Sequence, residues 1–259
     1  MDLTKELALG CRVKVCDIWR LQTYGIVTSD DLTNFALHIP KRGHMFESLK
    51  ITAYPRCGIE SDQHLPIDAI LYYAAMARHH GPQLLSTPGQ TAVVPIELPL
   101  AKCAVNGEWF YAASFAQWDS PSEGQTFWAK RFDRKQEGLI DFGKKRGKVI
   151  TEQGQYKAYK MPVFYRHALS IVWYAIGDKL KIESLLSAMT HIGKKTSQGF
   201  GRINRWAVES FADDWSLYKD GQPMRAIPQS GGILYGIRPS YWESCNQVPC
   251  VLPATKTIT

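Results

Sequence analysis

The chain has 259 residues, 45% of them hydrophobic and 12% aromatic, which suits a folded protein with a sizeable core and excludes a disordered one. No apolar run approaches the ~18 residues of a membrane span and no charged-then-apolar leader opens the chain, so the expectation is a cytoplasmic protein with no membrane partner. The net charge of +7 is lopsided: residues 129–205 hold 17 Lys and Arg against 6 Asp and Glu, while the rest holds 14 against 18. One strongly basic third inside a mildly acidic protein is the footprint of nucleic-acid contact, or of an acidic partner.

Residues 1–44 read as an N-terminal extension of unassigned role. Cys11 to Leu21 carries strand-like patches, Ser29-Asp30-Asp31 resembles a helix start, and Lys41-Arg42-Gly43-His44 reads as a break. From residue 45 the pattern is cleaner, and residues 45–259 are taken as one domain. Ser48 to Arg56 alternates as a strand ended by Pro55 and Gly58. Pro66 opens a helix with Ile67, Ile70, Leu71 and Ala74 on one face and Gly81 beyond its end. Asp68, in its first turn, favours the helix through the dipole. Val93 to Leu98 and Glu108 to Trp118 read as strands, the second with Trp109, Tyr111, Ala113 and Phe115 alternating into a core. The six cysteines include no C-x-x-C pair and no matching histidines, so they read as reduced thiols and no metal is called for.

The basic third begins at Lys130-Arg131-Phe132. Gly143 and Gly147 bracket Lys144-Lys145-Arg146, with Lys148 following, which predicts a hairpin over about 128–150 that carries cations outward. Gln155 to Phe164 interleaves Tyr156, Lys157, Tyr159 and Lys160, pairing phosphate-binding charge with stacking faces; Tyr165 and Arg166 come next. Leu169 to Ile176 alternates as a strand with Trp173 and Tyr174 on opposite faces. Asp178 then caps a helix bearing Ile182, Leu185, Leu186 and Met189. After it come Gly193, Lys194, Lys195, Thr196, Ser197, Gln198, Gly199, Phe200, Gly201 and Arg202, and a strand from Arg202 to Glu209. A nucleotide-binding P-loop is excluded: Ala188 stands where its first glycine belongs, Lys195 where its Ser or Thr belongs, and the turn follows a helix instead of preceding one. Positive charge must come from the cations themselves, which fits an extended polyanion. Strand, helix, glycine loop and strand make half of a ferredoxin-like βαββαβ module. Beyond Asp213-Asp214-Trp215 the tail reads as irregular apart from a short Ile233-Leu234-Tyr235.

These residues resemble the RAMP superfamily of CRISPR-associated proteins, whose C-terminal glycine-rich loop is matched by Gly193 to Arg202. Further landmarks narrow the resemblance: Leu49 to Ala53, Leu65 to Asp68, Phe115 to Trp118, Lys130 to Phe132, Asp141 to Ile150, Tyr156 to Tyr159, Met161 to Arg166 and Tyr235 to Trp242. Together they are similar to the Csf-type RAMP subunit of type IV CRISPR effector complexes, counterpart of the family-five Cas proteins. The resemblance implies an α+β RAMP fold with a ferredoxin-like (RRM-like) βαββαβ module, a protruding basic β-hairpin and the glycine-rich loop. It implies a non-catalytic, cofactor-free subunit that caps the 5′ handle of the crRNA in a ribonucleoprotein. The partners it implies are the backbone RAMP, the large subunit, the crRNA-processing RAMP, target DNA reached through the guide, and a helicase acting on the assembled complex. The hairpin from Lys130 to Val149 would wedge near the first guide nucleotides, and the loop would hold handle phosphates or splayed bases.

Two alternatives stay open. A metal-independent ribonuclease would need a base for a 2′-OH and a cation for the developing charge, which points to His191 beside Lys194 and Lys195, or to His167 beside Tyr165 and Arg166. A structural protein that docks an acidic partner would use the same charge without binding RNA.

Overall fold

A computed structural model describes residues 36–38, 46–81, 96–143 and 147–254. The expected features at Cys11–Leu21 and Ser29–Asp31, and the cations Lys144, Lys145 and Arg146, lie outside the described residues. What is described is α+β: thirteen strands and two helices. No helix among these residues is long and apolar enough to cross a membrane.

The centre is a four-stranded antiparallel sheet in the order β5-β8-β2-β9, built from β2 (Glu47–Pro55), β5 (Gln117–Trp118), β8 (Ile171–Gly177) and β9 (Ile203–Ser210). In chain order these strands and the helices α1 (Ile67–His80) and α2 (Lys179–Leu186) run strand, helix, strand, strand, helix, strand. The period of two in β2 turns Leu49, Ile51 and Ala53 to one side, where they are fully buried with Trp173, Val208, the α1 residues Ile67, Ile70, Leu71 and Ala74, and the α2 residues Ile182, Leu185 and Leu186. Lys50, Thr52 and Tyr54 therefore face away from the helices. Pro66 precedes α1, and Gly81 closes it at φ 62°. The Asp178 carboxylate caps α2 by accepting from the Lys181 N–H at 3.2 Å. Arg78 ties the helices together by donating to the Ser184 carbonyl at 2.6 Å.

Two insertions elaborate this sheet. Between α1 and β5, β3 (Lys102–Val105) and β4 (Glu108–Tyr111) form a hairpin, which β1 (Ala36–His38), from before β2, completes as a three-stranded antiparallel sheet. Ala36–His38 belongs to the leading segment, so that segment's end supplies a strand to this sheet. Between β5 and β8, β6 (Ser122–Lys130) and β7 (Tyr159–His167) form a nine-pair hairpin.

Several expectations need correction. Glu108–Trp118 is two strands, because the chain turns between Tyr111 and Gln117 and buries Phe110 and Ala112 as fully as Tyr111 and Ala113; Trp109 stays partly exposed. Ile96–Leu98 forms no strand. The second helix ends at Leu186, with Ser187 as its cap, and Met189 packs on the core from beyond it. Trp173 and Tyr174 do lie on opposite faces as expected, and both are buried: Trp173 under the helices, Tyr174 against Phe211 and Trp215.

The tail is not irregular. β10 (Tyr218–Lys219) pairs with β11 (Gln222–Pro223), and β12 (Ile227–Gly236) pairs with β13 (Gln247–Val251). These strands build a second core in which Ile227, Ile237 and Cys250 pack with Cys103, Phe110 and Phe115. At the join of the two cores sits a fully buried Arg225. It donates to the carbonyls of Tyr111, Ala113 (3.0 Å) and Ile237 (2.5 Å), and lies 3.7 Å from the equally buried Asp68 carboxylate. The Tyr241 hydroxyl donates to the same carboxylate at 2.7 Å. Burial pushes the Asp68 carboxyl up from its ordinary value, opposed by Arg225 and Tyr241. Asp68 is thus a core ion-pair partner, a larger role than a first-turn acid on a helix dipole.

Candidate nucleic-acid interface

The glycine-rich stretch leaves the core at Ile192, which is buried, and returns to it at Ile203. His191 and Arg202 face each other across an antiparallel bridge, closed by Ile192 N–H to the Gly201 carbonyl (2.9 Å) and Ile203 N–H to the Thr190 carbonyl (2.8 Å). The segment Gly58–Glu60 runs alongside. Gly201 N–H donates to the Gly58 carbonyl at 2.9 Å and Lys194 N–H to the Glu60 carbonyl at 2.6 Å. Gly201 needs its φ of 74° and also the absence of a Cβ, which would collide with the Ile192 carbonyl. Lys195, at φ 55°, enters a single 3-10 turn, Thr196–Gln198, that ends on Gly199. The N–H groups of Ile192, Lys194, Gly199 and Gly201 are spent on holding the bend. What the bend presents to solvent is Gly193, Lys194, Thr196, Ser197, Gln198, Gly199 and Arg202, all exposed.

The loop lies along one face of the hairpin. Residues directly opposite in its register share a face, so Tyr165, Val163, Trp128, Met161, Lys130 and Tyr159 form one side. On that side the Phe200 ring tilts onto Tyr165 with centroids 5.3 Å apart, and the Lys195 ammonium sits 4.8 Å from the centre of the Trp128 ring. The Tyr165 ring covers Gly58 and Gly124, where any Cβ would strike it. The other side of the hairpin shows Phe127 and Phe164 to solvent, with the Lys160 ammonium 4.3 Å from the Phe127 ring centre.

The hairpin is longer than expected. Its strands are Ser122–Lys130 and Tyr159–His167, so the 128–150 range covers mainly its tip. There Arg131, Lys148 and Lys157 are exposed and Lys130 donates to the Gln155 carbonyl at 2.9 Å. Tyr156 and Tyr159 pack on Phe132 and Trp128, so the tyrosines of the interleaved stretch serve the hairpin's own packing and its lysines face water. Arg166 is engaged by Glu123 at 3.6 Å and lies 5.5 Å from the Trp118 ring centre. Lys194 pairs with Asp62 at 2.5 Å, with both side chains more than half exposed. A surface pair of this kind contributes on the order of 0–1 kcal/mol and leaves the ammonium able to exchange its partner.

The two histidines have local partners. His191 Nδ1 lies 2.9 Å from the Thr190 hydroxyl, and His167 meets the Tyr165 ring edge-on at 5.1 Å. Neither has a carboxylate partner among the described residues, and no group of three His, Cys, Asp or Glu there is arranged to hold a metal. His64, stacked on Phe115 at 4.9 Å, titrates below its ordinary value because of burial first and the Arg166 charge second.

Sequence reasoning missed part of this surface. The β2–β9 pairing sets Tyr54 opposite Arg205, whose guanidinium carbon lies 3.8 Å from the ring centre. It also sets Arg56, whose N–H donates to the Arg202 carbonyl at 2.8 Å, beside the end of the loop. Arg202 immediately precedes β9 and Arg205 lies on it, but Arg56 joins them only through that pairing.

The family model described as CRISPR type IV associated protein Csf3 matches residues 47–253. No curated protein matches the chain.

Proposed function

The chain belongs to the Csf3 family of type IV CRISPR-associated proteins, and from that premise we propose that it is the RNA-binding subunit that caps the crRNA 5′ handle in a type IV ribonucleoprotein. The β5-β8-β2-β9 order and the strand-helix-strand-strand-helix-strand succession support reading the fold as a RAMP with a ferredoxin-like module. The observation that carries the proposal is the exposed cationic bend, Lys194 to Arg202, lying along the aromatic face of a basic hairpin. Ammonium and guanidinium groups neutralise phosphates, and exposed aromatics stack on bases that no duplex hides. The other type IV subunits, target DNA held by the guide, and the helicase follow as partners from the same premise. The hairpin would then stand near the first guide nucleotides.

The test is binding of the full chain to handle RNA across a salt series. Lys194→Ala with Lys195→Ala is expected to weaken binding at least fivefold and to lower the slope of log K against log salt by ~1.4, at ~0.7 per single-strand phosphate. Asp62→Asn, which frees Lys194, is expected to tighten it. Unchanged affinity in a folded double variant would sink the loop assignment, and no RNA binding at low salt would leave only an acidic-protein partner. The chain acts without cutting RNA in this reading. Incubation with repeat RNA in the absence of metal should leave it intact, and cleavage lost in His191→Ala or His167→Ala would reverse that statement.

A further inference from the structure

Resting on the reading that the loop holds single-stranded RNA, we infer that the RNA continues past Arg202 onto the helix-free face of the central sheet. There Arg205 and Tyr54 form a stacking platform for one unpaired base, and Arg56 and Arg202 take the phosphates beside it.

Strand alternation separates the two faces of this sheet. Leu49, Ile51 and Ala53 lie under the helices, and the register places Val208 opposite Ile51 on that same side. Tyr54 and Arg205 form the last regular pair of the opposite side. Beyond them the register slips, with Pro55 opposite Ile203 and Asn204 left as the extra residue. Such a bulge re-aims side chains where a strand meets a functional loop. At 3.8 Å, the Arg205–Tyr54 contact is the closest cation–ring approach among the described residues. Arg205 is exposed while Tyr54 is half-buried. A planar cation held flat on a ring offers a base a surface to stack on, which a lysine does not.

The charges gathered here are not neutralised by a neighbouring carboxylate among the described residues. Lys102, Lys194, Arg166, Arg225 and Arg238 each have a carboxylate within 4.0 Å. Among the described residues, Arg56, Arg202 and Arg205 have none. The acid on this face of β9, Glu209, stands opposite Lys50 at the other end of the strand. A cross-strand Arg–Tyr pair also steadies a sheet, yet that role asks nothing of Arg56 and Arg202. Three unpaired guanidiniums that begin where the loop ends complement a polyanion leaving that loop. The aromatic partner selects a single strand, because a duplex keeps its base faces covered.

The experiment uses the full chain with fluorescein-labelled oligoadenylate and oligouridylate of equal length, read by anisotropy across a salt series. Urea midpoints confirm that each variant is folded. Arg205→Gln is expected to weaken oligoadenylate about tenfold and oligouridylate less, since adenine offers the larger stacking face. Arg205→Lys is expected to keep the salt slope and lose most of the preference for adenine. Arg56→Gln is expected to lower the slope by ~0.7 with the preference intact. If all three bind both RNAs as the parent does while the Lys194→Ala, Lys195→Ala variant is weakened, the platform is overturned and the loop assignment stands. If that loop variant is also unaffected, both fall. Double-stranded RNA binding as tightly as oligoadenylate would overturn the stacking role.

Discussion

Replacing Asp68 with alanine isolates the contact on which the join between the two cores depends. In the folded chain the Arg225 guanidinium is fully buried, with three backbone carbonyls for its hydrogens and one carboxylate, 3.7 Å away, for its charge. Removing the carboxylate leaves that charge uncompensated in a low-dielectric interior, a loss of about 3–5 kcal/mol. It also strips the Tyr241 hydroxyl of its acceptor, which by itself costs about 1–3 kcal/mol. The two effects share one carboxylate, so they do not simply add; about 4 kcal/mol is expected for the variant. With a urea m-value of about 3 kcal/mol/M, the midpoint should fall by more than ~1 M. Asp68→Asn keeps an acceptor for Tyr241 and should cost less. The decisive variant is the double replacement, Asp68→Leu with Arg225→Met, which removes both charges together. It should be more stable than Asp68→Ala alone, because an apolar pair of similar volume needs no counter-charge. A midpoint within ~0.3 M of the parent for Asp68→Ala, or strictly additive losses in the double variant, would refute the argument.

Two further predictions follow from backbone and titration. Gly201→Ala should destabilise the chain well beyond Gly199→Ala: both need a positive φ, but a Cβ at 199 meets open space and one at 201 strikes the Ile192 carbonyl. Gly199→Ala should cost about 1–2 kcal/mol of backbone strain, and equal losses in thermal melts would contradict this. The depressed titration of His64 should make stability fall as pH drops below 6.5, because the unfolded chain then takes up a proton that the folded site resists. The slope for one proton is at most about 1.4 kcal/mol per pH unit. His64→Gln should flatten that part of the stability profile between pH 7.5 and 5.5, and parallel profiles for parent and variant would exclude the effect.

Local patterns gave away the elements with strong periodicity. The strand at Glu47–Pro55, the helix from Ile67 with Gly81 at its end, the Asp178-capped helix and the loop between Ile192 and Ile203 all carry their signals within a few adjacent residues. The hairpin was legible from its cations and glycines but its strands were not. Ser122–Lys130 half-buries only Gly124, Thr126 and Trp128 on its covered face and exposes Phe127 on the other, so no apolar alternation marked it. The C-terminal strands were hidden for a different reason: β12 slips between Pro228 and Ile233, which both stand opposite Cys250, and this five-residue offset breaks the period of two.

What this sequence determined alone was an inventory and a family likeness: a basic third, a glycine bend with its lysines, and which stretches bury a face. Those properties belong to single residues and to neighbours a few positions apart. The tertiary structure alone decided which distant groups meet. It set Asp68 beside Arg225 and Tyr241, turned Lys194 toward Asp62, and laid Arg205 on Tyr54 next to Arg56. Each of these pairings spans more than 130 residues along the chain, and only sheet register and core packing bring their side chains within a few ångströms.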